Sequence, residues 1–319
     1  MKQINLFAFI SSCIFGLYGD PADPSKVDSD YGIQGEYSGL VKGEEGDLKL
    51  GCQVVAMGKG SFVARGYVGG LPGDGWNRTK EEKVNSLKKE DGSLVFENDK
   101  HRGILKGGVI TVETLDGRKM GVLNKVARKS PTLGAKPPQG SFVLFEGAST
   151  EHFKPGRMTE DHLLMEGAKS IKLFQDHRLH VEFRLPYKPT ARGQGRGNSG
   201  LYLQGRYEVQ MLDSFGLDGK NNECGGVYGI APPRENMCFP PLTWQTYDVD
   251  FRTAVFKDGK KIKNAKMTVR HNGVIIHDKL ELPKRTTASP LKEGPEPGFV
   301  YLQNHGNPVR YRNIWVKPL

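Results

Sequence analysis

The 319-residue chain has no long apolar run beyond its first twenty residues. A spanning helix needs about 20 consecutive apolar residues, so a multi-span helical membrane protein is excluded. Helical periodicity is nearly absent too. Only residues 79–89 have a helix-forming composition, and they carry no apolar stripe, which excludes coiled coils and helical bundles. Cysteine is scarce, with four residues, so this is not a disulfide scaffold. The eight histidines are scattered and H-E-x-x-H is missing, so no metal motif stands out. The formal charge is +10, yet basic residues are not interleaved with stacking aromatics, and nucleic acid is not an expected partner. Glycine (41) and proline (19) are abundant but short of the roughly 25–30% that marks disordered chain.

What is present is strand signal. Gln53-Val54-Val55-Ala56, Ser61-Phe62-Val63-Ala64 and Val109-Ile110-Thr111-Val112 alternate or carry β-branched side chains. Asp116-Gly117 and Asn272-Gly273 sit between such runs. Asn-Gly suits the two-residue hairpin turn in which both central residues take positive φ. Lys257, Lys260, Lys261, Lys263 and Lys266 read as a solvated hairpin edge, since lysine guards exposed strands. The class is all-β. Residues 129–140 hold three prolines and two glycines and read as a stiff linker. It separates a small β domain of unassigned role (35–128) from about 180 residues (141–319) sized for a two-sheet sandwich or jelly roll.

The N-terminus carries one positive charge, an apolar stretch over 4–18 and a Pro-rich exit. Residues 1–19 therefore read as a secretory signal peptide, with 20–34 as a short lead-in. The protein is expected to be exported, to the periplasm or outside the cell. Ile10-Ser11-Ser12-Cys13 also resembles a lipoprotein cleavage box, an alternative in which Cys13 is lipid-anchored. In an exported chain Cys224 and Cys238, bracketing a turn-rich segment, read as a disulfide; two free thiols or half a zinc site are the alternatives. Cys52 reads as a small buried apolar group.

The run Arg192 to Gly200 matches G-x-G-x-x-G at Gly195, Gly197 and Gly200. A strand-like segment follows instead of a helix, so the dinucleotide reading fails. A glycine loop that lets backbone approach a ligand remains, with Arg192 and Arg196 over its mouth. Beyond it, Leu201, Leu203, Tyr207, Val209 and Met211 form one strand face and Tyr202, Gln204, Arg206, Glu208 and Gln210 the other, with Gly205 at a corner. The second face is polar throughout, rich in side chains that bond hydroxyls. In Val300 to Gly306 the pattern recurs, with Tyr301, Gln303 and His305 opposite Val300 and Leu302. The expectation is a shared groove that binds sugar. Glu208, Gln210 and Asp213 also stand at the 0, +2, +5 offsets of some sandwich glycosidases. The middle residue is an amide, so a paired-carboxylate retaining mechanism is not supported.

At this point five ordered motifs become recognisable: Gly197-Asn198-Ser199-Gly200, Tyr207 to Asp213, Trp244-Gln245-Thr246-Tyr247, Leu302-Gln303-Asn304-His305-Gly306 and Arg312-Asn313-Ile314. Over about 140–319 the chain resembles the DUF1080 family, described as 3-keto-disaccharide hydrolase or 3-keto-glucoside 1,2-lyase/hydratase domains. The resemblance implies a concanavalin/laminin-G-like sandwich, export, and action on sugars oxidised at C3. One departure is Asn304, where many members have Asp; by alternation it points away from the groove.

A C3 ketone acidifies the proton on C2. A base that removes it allows the C1 substituent to leave, and water then adds back, for net hydrolysis. Glu208 and His305 are the candidates for base and acid. Asn198, Tyr202, Gln204, Arg206, Gln210, Tyr228 and Gln303 are candidate substrate contacts, with Asp213 and Glu223 in reserve. Trp244 reads first as core or rim packing, with sugar stacking as the alternative. No cofactor is expected; a divalent metal could polarise the ketone, but no motif supports one. The expected partner is an oxidised di- or oligosaccharide or glycoside. A non-catalytic carbohydrate-binding module and a cell-surface interaction protein are the alternatives.

Overall fold

The computed structural model describes residues 20–79 and 83–319. The signal-peptide reading and Cys13 lie outside the described residues. Eight antiparallel strands between Gly35 and Val126 close into a barrel, in which Gly35–Gly43 pairs with both Gly46–Gly58 and Lys119–Val126. Closure leaves no open edge. Period-two alternation fills the interior with Tyr37, Val54, Ala56, Phe62, Leu94, Phe96, Leu105, Ile110 and Leu123. Within the stretch of helix-forming composition, Lys83–Lys88 is a strand of this barrel. Sheet pairing overrides its local propensity.

The second unit is a sandwich. Its seven-stranded sheet is built mainly from Arg310–Pro318, His177–Arg184, Trp244–Arg252, Ala265–His271 and Val274–Leu282. Its five-stranded sheet runs, in order, Phe153–Lys154, Ala168–Ser170, Tyr301–Leu302, Ser199–Leu203, Tyr207–Met211. Leu179, Val181, Phe183, Val249, Phe251, Leu201, Leu203, Val209, Met211 and Leu302 fill the space between the sheets. The Asn272-Gly273 turn has φ of +49° and +81°, as its sequence demands. The lysine-rich stretch forms a small separate hairpin, Val255–Lys257 with Lys260–Lys263.

The proline-rich segment between the units is docked along the outer face of the seven-stranded sheet. Ser130 Oγ lies 2.6 Å from Thr246 Oγ1, and Thr132 Oγ1 donates to Asp248 Oδ2 at 2.7 Å. The Gly134 amide donates to Glu182 Oε1 at 2.5 Å, and Ala135 O accepts from Asn313 Nδ2 and Trp315 Nε1, each at 3.1 Å. Burial alone would raise the Glu182 carboxyl, but His180, Asn313, Gly134 and Arg312 bond to it and hold it down at about 2.

The two units also meet directly. Tyr187 and Leu242 of the sandwich pack into the barrel core. Arg65 of the barrel donates to Leu217 O and pairs with Asp218, while Arg196 of the sandwich donates to Ala56 O of the barrel.

The bond expected between Cys224 and Cys238 is not formed in the structure, although the two thiols lie within hydrogen-bond reach of each other. Cys224 and Cys238 are both free and buried. Each thiol also has an oxygen neighbour: Tyr247 Oη lies 3.2 Å from Cys224 Sγ, and Cys238 Sγ donates toward Phe239 O at 3.4 Å. Cys52 is also free and buried, and desolvation pushes its thiol up to about 12.

Candidate functional site

The site is built on the hairpin formed by Ser199–Leu203 and Tyr207–Met211. Tyr202 stands directly opposite Glu208, and Gly200 opposite Gln210. Residues directly opposite in an antiparallel pair share a face, so Tyr202 and Glu208 meet side by side. Tyr202 Oη donates to Glu208 Oε2 at 2.8 Å. Gln303, just past Tyr301–Leu302, donates its backbone N–H to Gly200 O at 2.9 Å and its side-chain amide to Tyr202 Oη at 3.3 Å. The segments around 208 and 303 are thus joined through the strand between them.

Gly200 makes room for the carboxylate. A Cβ at this position would overlap Glu208 Oε1. Glu208 is 3% exposed. Desolvation dominates and lifts its carboxyl to about 7, against the opposing bond from Tyr202. Among the described residues no cation pairs with it. Burial also raises the Tyr202 phenol, with the negative charge of Glu208 adding to the effect.

Beside this pair lies a cluster of amides. Gln194, from the glycine run, accepts at its Oε1 from Gln210 Nε2 and from Asn198 Nδ2, both at 3.0 Å, and donates to Asn222 O at 2.9 Å. Asn198 Oδ1 and Gln303 Oε1 are buried acceptors with no hydrogen-bond partner. An orphaned buried acceptor costs about 1–3 kcal/mol, which a hydroxyl donor would relieve. Tyr228 sits at the border: its N–H donates to Glu208 O at 3.2 Å, and its ring lies close enough to act on the Tyr202 phenol.

Several expected contacts are employed elsewhere. Gln204 takes φ of +51° in the hairpin turn, and its amide donates to Phe174 O and Gln175 Oε1. Arg206 donates to Lys292 O and Glu296 O and so pins a neighbouring loop. The turn breaks the alternation that would have put both on the groove face. Asp213 is buried in an ion pair with Arg196, Nε to Oδ2 at 2.6 Å, so neither lines a mouth. Glu223 caps the Gly219 and Lys220 amides. Trp244 belongs to the other sheet, where Arg184 and Arg312 lie 5.2 and 4.1 Å from its ring centroid. His305 is exposed in the loop after Leu302, with no side-chain hydrogen bond to Glu208. Gln194 went unread in the sequence, because a single amide inside a glycine run carries no period. Ser199–Leu203 is a strand, so the glycine spacing opens no helix. Among the described residues no group of three or more His, Cys, Asp or Glu could hold a metal ion, and no helix is long and apolar enough to cross a membrane.

Residues 140–317 match the family described as the 3-keto-alpha-glucoside-1,2-lyase-like domain. The chain belongs to this family. It is similar to a solved protein of Parabacteroides distasonis ATCC 8503, provisionally described as a glycosyl hydrolase. The two are 27% identical, with a TM-score of 0.53, over 57% of this chain and 84% of that one. A second protein of the same organism and provisional description is 18% identical, with a TM-score of 0.43, over 57% of this chain and 94% of that one. No curated protein matches the chain. Membership of this family makes residues 140–317 a carbohydrate-related domain.

Proposed function

We propose that the sandwich cleaves 3-keto-glycosides by elimination and hydration, with Glu208 as the proton-transfer group, and that the protein is exported. The observation that carries this is a buried carboxyl poised near neutrality, with no cation beside it among the described residues, bonded to Tyr202 and flanked by amides. A general base works best when its pKa is near the operating pH. With the C3 ketone in place, the Glu208 carboxylate takes the C2 proton and the C2–H electrons form the enolate. Collapse of the enolate expels the C1 oxygen, which leaves protonated as the aglycone alcohol. Water then adds across the C1–C2 double bond, and the sugar is released with a free C1 hydroxyl. Tyr202 Oη and the Gln303 and Gln210 amides are assigned to the ketone and hydroxyl oxygens, which must take the place of the protein acceptors these donors now bond. Protonation of the leaving oxygen is assigned to His305, which must move in from its exposed loop to deliver the proton. Because Glu208 is buried, substrate reaches it by displacing neighbours. The loop bearing Gln194, between Gly193 and Gly197, is suited to such movement by its glycines.

The direct test is incubation of the folded protein with 3-keto-trehalose or an aryl 3-keto-glucoside, following release of the aglycone. Turnover above background is expected, with a transient 2-hydroxy-3-keto-glucal. No release above background overturns the reading. Gly200→Ala supplies a second check. By pushing the carboxylate off position it should cost about 10²-fold in kcat, while circular dichroism shows the strand content unchanged.

A further inference from the structure

The row that pairs Tyr202 with Glu208 continues across the sheet. Tyr202 is in register with Tyr301, Tyr301 with Lys169, and Lys169 with Lys154. Partners in register share a face, so one line of side chains runs from the carboxyl to two lysines. Strands lie about 4.8 Å apart, which puts Tyr301 about 10 Å and Lys169 about 14 Å from Glu208. The far end of the row opens into a groove of about 770 Å³ lined by Lys154, Arg157, Lys169, Phe299, Tyr301 and Asn304, among others. Asn304 faces this groove because the chain has left the strand before reaching it.

The chemistry of the groove has one sign. No acidic residue lines it. Arg157 is bonded to Glu166, which also pairs with Arg310. Lys154 and Lys169 have no acidic partner among the described residues. Lys169 Nζ is held over two rings, 5.2 Å from the Tyr301 centroid and 5.5 Å from that of Phe299. Half-exposed aromatic rings offer stacking faces for a pyranose, and the unpaired ammonium groups offer an anion its partners.

We propose that this groove is the leaving-group subsite and takes a sugar unit bearing a carboxylate or a sulfate. The proposal rests on Glu208 acting at the other end of the same row. The test compares 3-keto-glucosides that differ only in the leaving sugar: glucose, glucuronate or a glucose sulfate. For the wild-type protein, kcat/KM should favour an anionic leaving sugar by about five- to tenfold at low salt. The preference should fade as ionic strength shortens the screening length. The two anionic arms show which group is preferred. In the Lys154→Met/Lys169→Met double variant the ratio of anionic to neutral should drop to about one, and Lys→Arg at both positions should restore it. Equal kcat/KM for neutral and anionic substrates in the wild type, or a preference that the double variant keeps, overturns the proposal. If no 3-keto substrate turns over, the Glu208 reading fails and the groove is judged alone, by calorimetric titration with a glucuronate-containing disaccharide against its neutral counterpart. A preference lost in the double variant then supports the groove, and equal binding overturns it.

Discussion

Replacing Glu208 with glutamine is expected to lower kcat on a 3-keto-glucoside by about 10²–10⁴-fold, the usual worth of a positioned acid or base. The same substitution should make the protein more resistant to urea at pH 8. The native carboxyl titrates at about 7, against an ordinary value of 4.5, because burial disfavours its charge. Below the ordinary value both folded and unfolded chains hold this proton, and its contribution to stability is complete. As pH rises, the unfolded chain releases the proton first. Stability therefore falls across the interval up to about 7, by about 3 kcal/mol in total, and is flat beyond it. Glutamine cannot ionise, so the variant lacks this loss. Urea unfolding of both proteins at pH 4.5 and pH 8 checks the sign. A difference between them that does not grow with pH would show that the native carboxyl is ordinary, and the catalytic reading would lose its support.

Asp213→Ala is expected to be the most damaging single change away from the reaction site. Arg196 is 6% exposed, and Asp213 is its acidic partner, while its other guanidinium nitrogens donate to Ala56 O and Pro189 O. Removing the carboxylate leaves a buried, unpaired charge, at a cost of about 3–5 kcal/mol. Replacing both partners, as in Arg196→Met/Asp213→Leu, should recover a large part of that loss, since a buried pair exchanged for apolar groups is often near neutral. Urea midpoints for the two single variants and the double variant complete the cycle. Single variants within about 0.5 kcal/mol of wild type would mean that solvent reaches the pair. Because Arg196 ties the barrel to the glycine run, the single variant should also loosen the loop that carries Gln194. Faster amide exchange over residues 192–198 would report it.

The architecture was legible where local chemistry decides it. Leu201, Leu203, Val209 and Met211 alternate with polar residues and do face the core, and Asn272-Gly273 does make its turn. The Tyr202–Glu208 pairing was legible for the same reason. Partner choice at a distance was not. Nothing near Asp213 in sequence announces that Arg196 will claim it, and nothing near Arg206 announces the carbonyls of Lys292 and Glu296. Gln204 and Arg206 kept their period on paper but lost it at the corner, where Gln204 adopts a left-handed backbone. For Trp244, alternation gives the side chain a face without saying which sheet owns the strand. Barrel closure is likewise a property of the first and last strands together, 36 with 126, and no local window contains both.

The docked segment before the sandwich has a practical consequence for anyone trimming the gene. The family match begins at residue 140, which invites a fragment started there. It would discard the stretch whose backbone and hydroxyls bond Glu182, Thr246, Asp248, Asn313 and Trp315, and would leave Tyr187 and Leu242 without their apolar cover. Such a truncation should be prone to clumping. An expression boundary placed ahead of the barrel keeps every one of those groups in its native company.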